Sequence, residues 1–212
     1  QGVTYFSSAG NNGDQSFEDT FRQSGVINAS FGELHDWDPG AGVDTGLDLT
    51  IGAGQSIQLV LNWDQPFGAS ASDVDVLLTS GGSLASGGTI VSGSAAGNIG
   101  GDPVEIFTFT NTANSAQTFD LSLTLFEGSA PSVFKFLDFG GGLTINEFLT
   151  LDKSTSYGHA NAEGALAVGA AFNFETPEFG ENPPLLEDFS SEGGVPILFD
   201  GAGNRLATPI IR

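Results

Sequence analysis

With 212 residues the chain is long enough for one large domain or two small ones with a real core. Its 26 Asp and Glu against 5 Lys and Arg give a net charge of −21, which excludes nucleic acid and an anionic lipid surface as partners. It also favours divalent cations wherever carboxylates converge, as in an extracellular, calcium-rich setting. The lack of cysteine excludes disulfides and thiolate metal sites, and no run approaches the ~20 apolar residues of a membrane span.

Glycine makes up 31 of the residues, and short alternating runs lie between Gly, Ser, Asn and Asp clusters, the pattern of strands and turns. The chain opens without a signal-peptide pattern, straight into the apolar run Val3–Ser8, as a segment of a longer protein would. Val3–Ser8 and Gly164–Ala171 are small-residue runs without alternation, expected for strands buried on both faces and neighbouring in an α/β sheet. Between them, Ser16–Arg22 and Thr144–Leu149 are expected to form one or two helical turns each, capped by Ser16 and Thr144. Ile57, Leu59, Leu61 and Trp63 fall on one face at period two. The alternation recurs over Asp73–Leu78, Glu105–Thr110, Thr118–Leu125 and Ser132–Leu137, spaced as in an antiparallel sandwich. The expected fold is therefore mainly β, with an antiparallel, jelly-roll-like β-sandwich over 21–154 inserted between two flanking segments, 1–20 and 155–212, of an α/β core.

Chemistry concentrates at Ser8-Ala9-Gly10-Asn11, where a strand ends in small residues and then presents a carboxamide. Such an N–H is a neutral donor able to meet a developing oxyanion. On residue types alone, Gly-Asn after a strand is a turn. The stretch nevertheless resembles the oxyanion-hole block of subtilisin-like serine peptidases. Two further stretches resemble the next blocks of that family, in its order: Tyr157–Ala171, with its Ala-Val-Gly-Ala strand, and Phe189-Ser190-Ser191-Glu192-Gly193. The resemblance covers about 1–16 and 155–212. It implies a secreted, bacterial-type serine endopeptidase whose substrate is a protein or peptide, with Asn11 as the oxyanion-hole donor. The family's catalytic Asp and His precede this block and its nucleophilic serine follows the point where the chain stops. The resemblance thus implies that the isolated chain is inactive and that the rest of the parent peptidase is its partner. Residues 47–78 are similar to pre-peptidase C-terminal and jelly-roll accessory domains, a class associated with substrate engagement. The contrasting expectation is a non-catalytic extracellular sandwich that binds protein or carbohydrate.

Other signals carry less. Val43-Asp44-Thr45-Gly46 spells the aspartic-peptidase triplet, but an acid dyad needs a second copy and there is none, so a turn into a strand is expected. His35 and His159 are expected to be structural or solvent-facing. Asp73 and Asp75, two apart on a strand, share a face; with Asp36, Asp38 and Asp64 they form an oxygen-rich candidate site for Ca²⁺, while a wet outer face explains the pair equally well. No other cofactor is expected.

Overall fold

The computed structural model describes residues 3–13, 15–148, 154–162 and 164–212. Its strands are, in chain order, β1 Tyr5–Ser8, β2 Ser16–Thr20, β3 Gln23–Asn28, β4 Gly32–His35, β5 Leu47–Ile51, β6 Ser56–Trp63, β7 Ser72–Ser80 and β8 Thr89–Ser94. There follow β9 Val104–Thr110, β10 Gln117–Gly128, β11 Val133–Asp138, β12 Leu143–Ile145, β13 Ala165–Val168, β14 Pro196–Phe199 and β15 Arg205–Ile211. Helix is confined, among the described residues, to three 3₁₀ turns at Gly158–Asn161, Asn173–Glu175 and Pro177–Phe179. Among the described residues no helix is long and apolar enough to cross a membrane. The protein is mainly β, built around an antiparallel sandwich. It divides into two compact units, one of residues 17–151 and one of residues 1–16 with 152–212.

The 17–151 unit is the sandwich. Its smaller sheet has the order β2-β11-β6-β9 and its larger sheet is organised by the long strand β10. One edge of β10 pairs β5 through Gln117–Leu121 and then β4 at Thr124 and Leu125; the other edge pairs β7, whose outer neighbour is β8. Period-two patterning does here what it should. Along β6, Ile57, Leu59, Leu61 and Trp63 are buried and the residues between them are not. They meet Phe134 and Phe136 of β11 on one side and Phe107 of β9 on the other, and Val74, Val76, Leu78, Leu121 and Leu123 come from the larger sheet. At one end an aromatic stack closes the core. Phe17 lies parallel to Phe136 at 5.3 Å, and Trp37 meets Phe17 and Phe134 edge-on at 5.5 and 5.6 Å.

Ser16–Arg22 is not a helical turn: its first five residues are β2, in the smaller sheet beside β11, and Phe21 and Arg22 lead on to β3. The reason is burial: Phe17 enters the core stack while Glu18, the next residue, faces outward to pair with Lys135 at 3.3 Å. Opposite facing of consecutive residues suits a strand. The second expected turn begins as β12, pairing Leu143–Ile145 with β5, and Leu149 lies outside the described residues.

The other unit holds two small sheets. β1 and β13 pair in parallel, Tyr5 with Ala165 through Ser8 with Val168, and β14 and β15 form an antiparallel hairpin. The expectation that β1 and β13 are buried on both faces does not hold in this chain. Phe6, Leu166 and Val168 are exposed, because the pair is a sheet of only two strands and the short 3₁₀ turn Gly158–Asn161 packed against it leaves these side chains uncovered.

Candidate functional site

The site with Asn11 is assembled from three segments. Ala9 prolongs the parallel pair by donating its N–H to the Val168 carbonyl at 2.9 Å. At Gly10 the chain turns at a φ of +118°, and a Cβ there would lie 2.7 Å from the Ser191 hydroxyl, so both the angle and the space require glycine. Ser191 fastens the turn twice: its N–H donates to the Gly10 carbonyl at 3.0 Å, and its Oγ accepts from the Asn12 N–H at 3.1 Å. The Gly13 N–H then reaches the Phe189 carbonyl at 3.0 Å, and the Thr155 hydroxyl donates to the Gly13 carbonyl. Thr155, Ser190 and Ser191 are buried, so this unit is held by small hydroxyls and backbone rather than by an apolar core.

Asn11 itself is exposed, and among the described residues its carboxamide has no hydrogen-bond partner. It follows the carboxyl end of β1, and β13 runs in the same direction beside it. In open parallel sheets that end of the strands is where ligands bind. A fixed turn carrying a free carboxamide can donate to an oxyanion, and that is the chemistry available here. Neither histidine adds a base to it. His159 is exposed, its ring edge-on to Tyr5 at 6.4 Å, and among the described residues neither imidazole bonds a serine hydroxyl or a carboxylate.

His35 sits in the sandwich unit, fully buried against Phe21, Trp37 and Phe134 at 5.1, 4.7 and 4.9 Å. Its Nδ1 lies between the N–H and the carbonyl of Arg22, at 3.0 and 3.1 Å. Burial, and then the Arg22 charge, push its pKa down to about 4, so it is neutral at pH 7. The Asp-Thr-Gly triplet is a turn into β5, in which the Asp44 carboxylate accepts the Gly46 N–H at 3.0 Å.

The five candidate calcium residues are placed in three locations. Asp36 and Asp38 organise one loop: Asp36 accepts the N–H groups of Asp38 and Asp44 at 3.1 and 2.8 Å, and Asp38 accepts those of Gly40 and Gly42 at 2.6 and 3.1 Å. Asp64 accepts the Ser132 N–H at 2.8 Å. Asp73 and Asp75 share the face of β7 that points away from Val74 and Val76, yet they are only 7% and 4% exposed, so this is not a wet outer face. The cover is the connection between β8 and β9, whose Asn98 N–H donates to Asp73 at 3.2 Å. Among the described residues no group of three or more His, Asp or Glu is arranged to hold a metal ion.

Glu105 is the residue that sequence reasoning missed. It occupies a position of β9 opposite Leu61, two residues before Phe107 opposite Leu59, and is 1% exposed. An acid in phase with the buried Phe107 was a visible signal. Burial, with Asp73 and Glu105 nearby, pushes the Asp75 pKa up to about 7, and Thr124 across on β10 opposes part of the rise. Glu105 is itself raised by burial, against hydrogen bonds from Ser94, Asn98 and the Ala96 N–H.

No protein-family model matches the sequence, and no curated protein matches it. Among solved structures the chain is similar to the Clostridium perfringens CspB protease, with 15% identity and a TM-score of 0.45. That similarity covers 90% of this chain and 38% of the clostridial chain.

Proposed function

We propose that this chain is part of a secreted subtilisin-like serine endopeptidase, in which Asn11 donates to the tetrahedral oxyanion and the sandwich is an accessory domain near the substrate cleft. One observation carries the reading. The three stretches that resemble subtilase blocks, far apart in sequence, meet at one place: β1 lies parallel to β13, and Ser191 fastens the Gly10 turn from which Asn11 projects. A parallel pair with no further strand on either edge among the described residues and with Phe6, Leu166 and Val168 exposed also suits a piece of a larger α/β sheet, since parallel sheets are stable when both faces are covered. The rest of that sheet, the nucleophilic serine and its histidine would come from the parent protein. The test is Asn11→Ala in the full-length protein. The expected result is a kcat lower by about 10²–10³ with KM little changed, the size of loss that follows removal of one oxyanion-hole donor in subtilisin itself. An unchanged kcat overturns the assignment. The isolated chain should not cleave casein, because an oxyanion donor without an activated serine has no nucleophile to assist.

A second reading is a non-catalytic module that binds protein or carbohydrate, and the closed core of the 17–151 unit favours it. Deleting that unit from the full-length protein separates the two readings. In the first, hydrolysis of a small peptide survives and protein cleavage changes; in the second there is no hydrolysis to lose.

A further inference from the structure

The carboxyl end of β13 leads into an excursion that closes on itself before the chain returns to Ser190. Its two limbs run side by side, with the Glu187 N–H donating to the Ala170 carbonyl at 2.9 Å and the Leu185 N–H to the Glu175 carbonyl at 3.1 Å. A third bond, from the Glu181 N–H to the Thr176 carbonyl at 3.2 Å, closes the tip. The excursion buries almost nothing of its own. Phe172, Phe174, Phe179, Leu185, Leu186 and Phe189 are each 47–58% exposed, and the Phe172 and Phe174 rings stack on each other at 5.2 Å. Six large apolar side chains within twenty residues, each about half exposed and two of them stacked, offer far more uncovered apolar surface than single surface residues do.

The charges around them choose the partner. Glu175, Glu178, Glu181, Glu187 and Asp188 are interleaved with the apolar residues, and from 154 to 204 the sequence has no Lys or Arg. A second copy of this chain would bring the same carboxylates and its own net charge of −21 against them. Like charges facing each other across an interface are unfavourable, which argues against self-association. We infer that the 170–189 excursion is a docking surface for a basic, amphipathic polypeptide segment, whose apolar side chains cover the phenylalanines while its lysines or arginines meet the acidic rim. Affinity comes from the apolar contact, and selection and encounter rate come from the rim. The inference concerns binding by the chain itself and does not depend on the peptidase reading.

The test uses the 212-residue chain and a fluorescent dodecapeptide, three repeats of Lys-Leu-Leu-Lys, followed by anisotropy. At low salt this peptide should bind about ten-fold or more tightly than the Glu-Leu-Leu-Glu and Lys-Ser-Ser-Lys analogues, and the affinity should fall as salt rises. Phe172→Ser/Phe174→Ser/Phe179→Ser should weaken it about ten-fold at unchanged net charge. Glu175→Gln/Glu178→Gln/Glu181→Gln, which leaves every apolar contact in place, should flatten the salt dependence. Neutralising sandwich carboxylates with Asp48→Asn/Glu127→Gln should change the affinity less than about two-fold. Amide-exchange protection on binding should fall within 170–189. Unchanged affinity in both excursion variants, protection confined to the sandwich, equal binding of the Glu analogue, or a peptide-free dimer by sedimentation would each overturn the inference.

Discussion

The two units of the chain solve the folding problem in opposite ways. The 17–151 unit gathers one continuous core of Phe, Trp, Leu, Ile and Val from both of its sheets. In the other unit the buried apolar residues among those described are Ala9, Ala160 and Ala165, while Ser16, Thr155, Ser190 and Ser191 are buried with them. Many of its large apolar side chains, among them Phe6, Leu166, Val168 and the phenylalanines of the excursion, stand in solvent, while those of β14 are half-buried. Hydrogen bonds between small hydroxyls and backbone give geometry but little net stability, about 0.5–1.5 kcal/mol each. The first unit therefore carries its own hydrophobic stabilisation. The second has its residues in order and leaves its apolar surface for something else to cover.

The largest expected effect tests the first half of that contrast. Phe136 is 1% exposed and stacked on Phe17, so Phe136→Ala should destabilise the sandwich by about 3–5 kcal/mol. Chemical denaturation followed by Trp fluorescence reports it directly, since Trp37 and Trp63 both lie in that core. A change below about 1 kcal/mol would mean that the core is looser than its packing.

How much of this contrast was legible depends on how local the signal is. The alternation of Ile57, Leu59, Leu61 and Trp63 states its own buried face, and β6 follows it. In Ser16–Arg22, by contrast, Phe17 and Phe21 are four apart, which fits one helical turn as well as a bent strand, and only the partner strand β11 decides. The shared face of Asp73 and Asp75 was readable; their burial was not, because the covering connection between β8 and β9 is rich in Gly, Ala and Asn and has no periodicity. The Asn11 turn was visible as residue types. The grip of Ser191 and Thr155 on it was not, since a serine hydroxyl carries no sequence signal of its distant backbone partner. The exposure of β1 and β13 was missed for a different reason: small-residue apolar runs report what a strand is suited to, not what covers it.

The next two effects are opposed, and both belong to the sandwich. His35 falls from an ordinary 6.5 to about 4 on folding, so between those values the folded chain holds fewer protons than the unfolded one. Its contribution is present above pH 6.5 and is lost as the pH falls toward 4. Asp75 rises from 3.8 to about 7, so the folded chain holds more protons in that window, and its contribution is present below pH 3.8 and is lost as the pH rises through 7. The two slopes partly cancel between pH 4 and 6.5. Asp75→Asn removes the buried charge and should stabilise the sandwich at pH 8 by about 1–2 kcal/mol, leaving a steeper loss toward acid. His35→Leu should do the reverse, flattening the acid limb and leaving stability that declines from pH 4 to pH 8. Urea midpoints of the two variants across pH 4–8 measure both slopes; parallel profiles for wild type and Asp75→Asn would exclude a neutral, buried Asp75.

The smallest effect bears on what the second unit lacks. Leu166 lies in β13, opposite Phe6 in the parallel register, and is 52% exposed. Half of its side chain is already in water, so in the isolated chain Leu166→Ser removes little burial and should shift stability by no more than about 0.5 kcal/mol. Suppose instead that β1 and β13 are two strands of a larger sheet whose faces are covered in the parent protein. The same side chain is then buried, and the same substitution adds a cavity and an unpaired hydroxyl to the lost transfer term, about 2–4 kcal/mol in total. Measuring Leu166→Ser in both contexts therefore isolates the cover itself, because everything local to the substitution is held constant. A several-fold larger loss in the full-length protein supports the α/β body proposed around Asn11. Equal, small losses in both would leave the parallel pair as exposed in the parent as it is in this chain, and a bare two-stranded pair is no scaffold for holding an oxyanion donor within the few tenths of an ångström that catalysis demands.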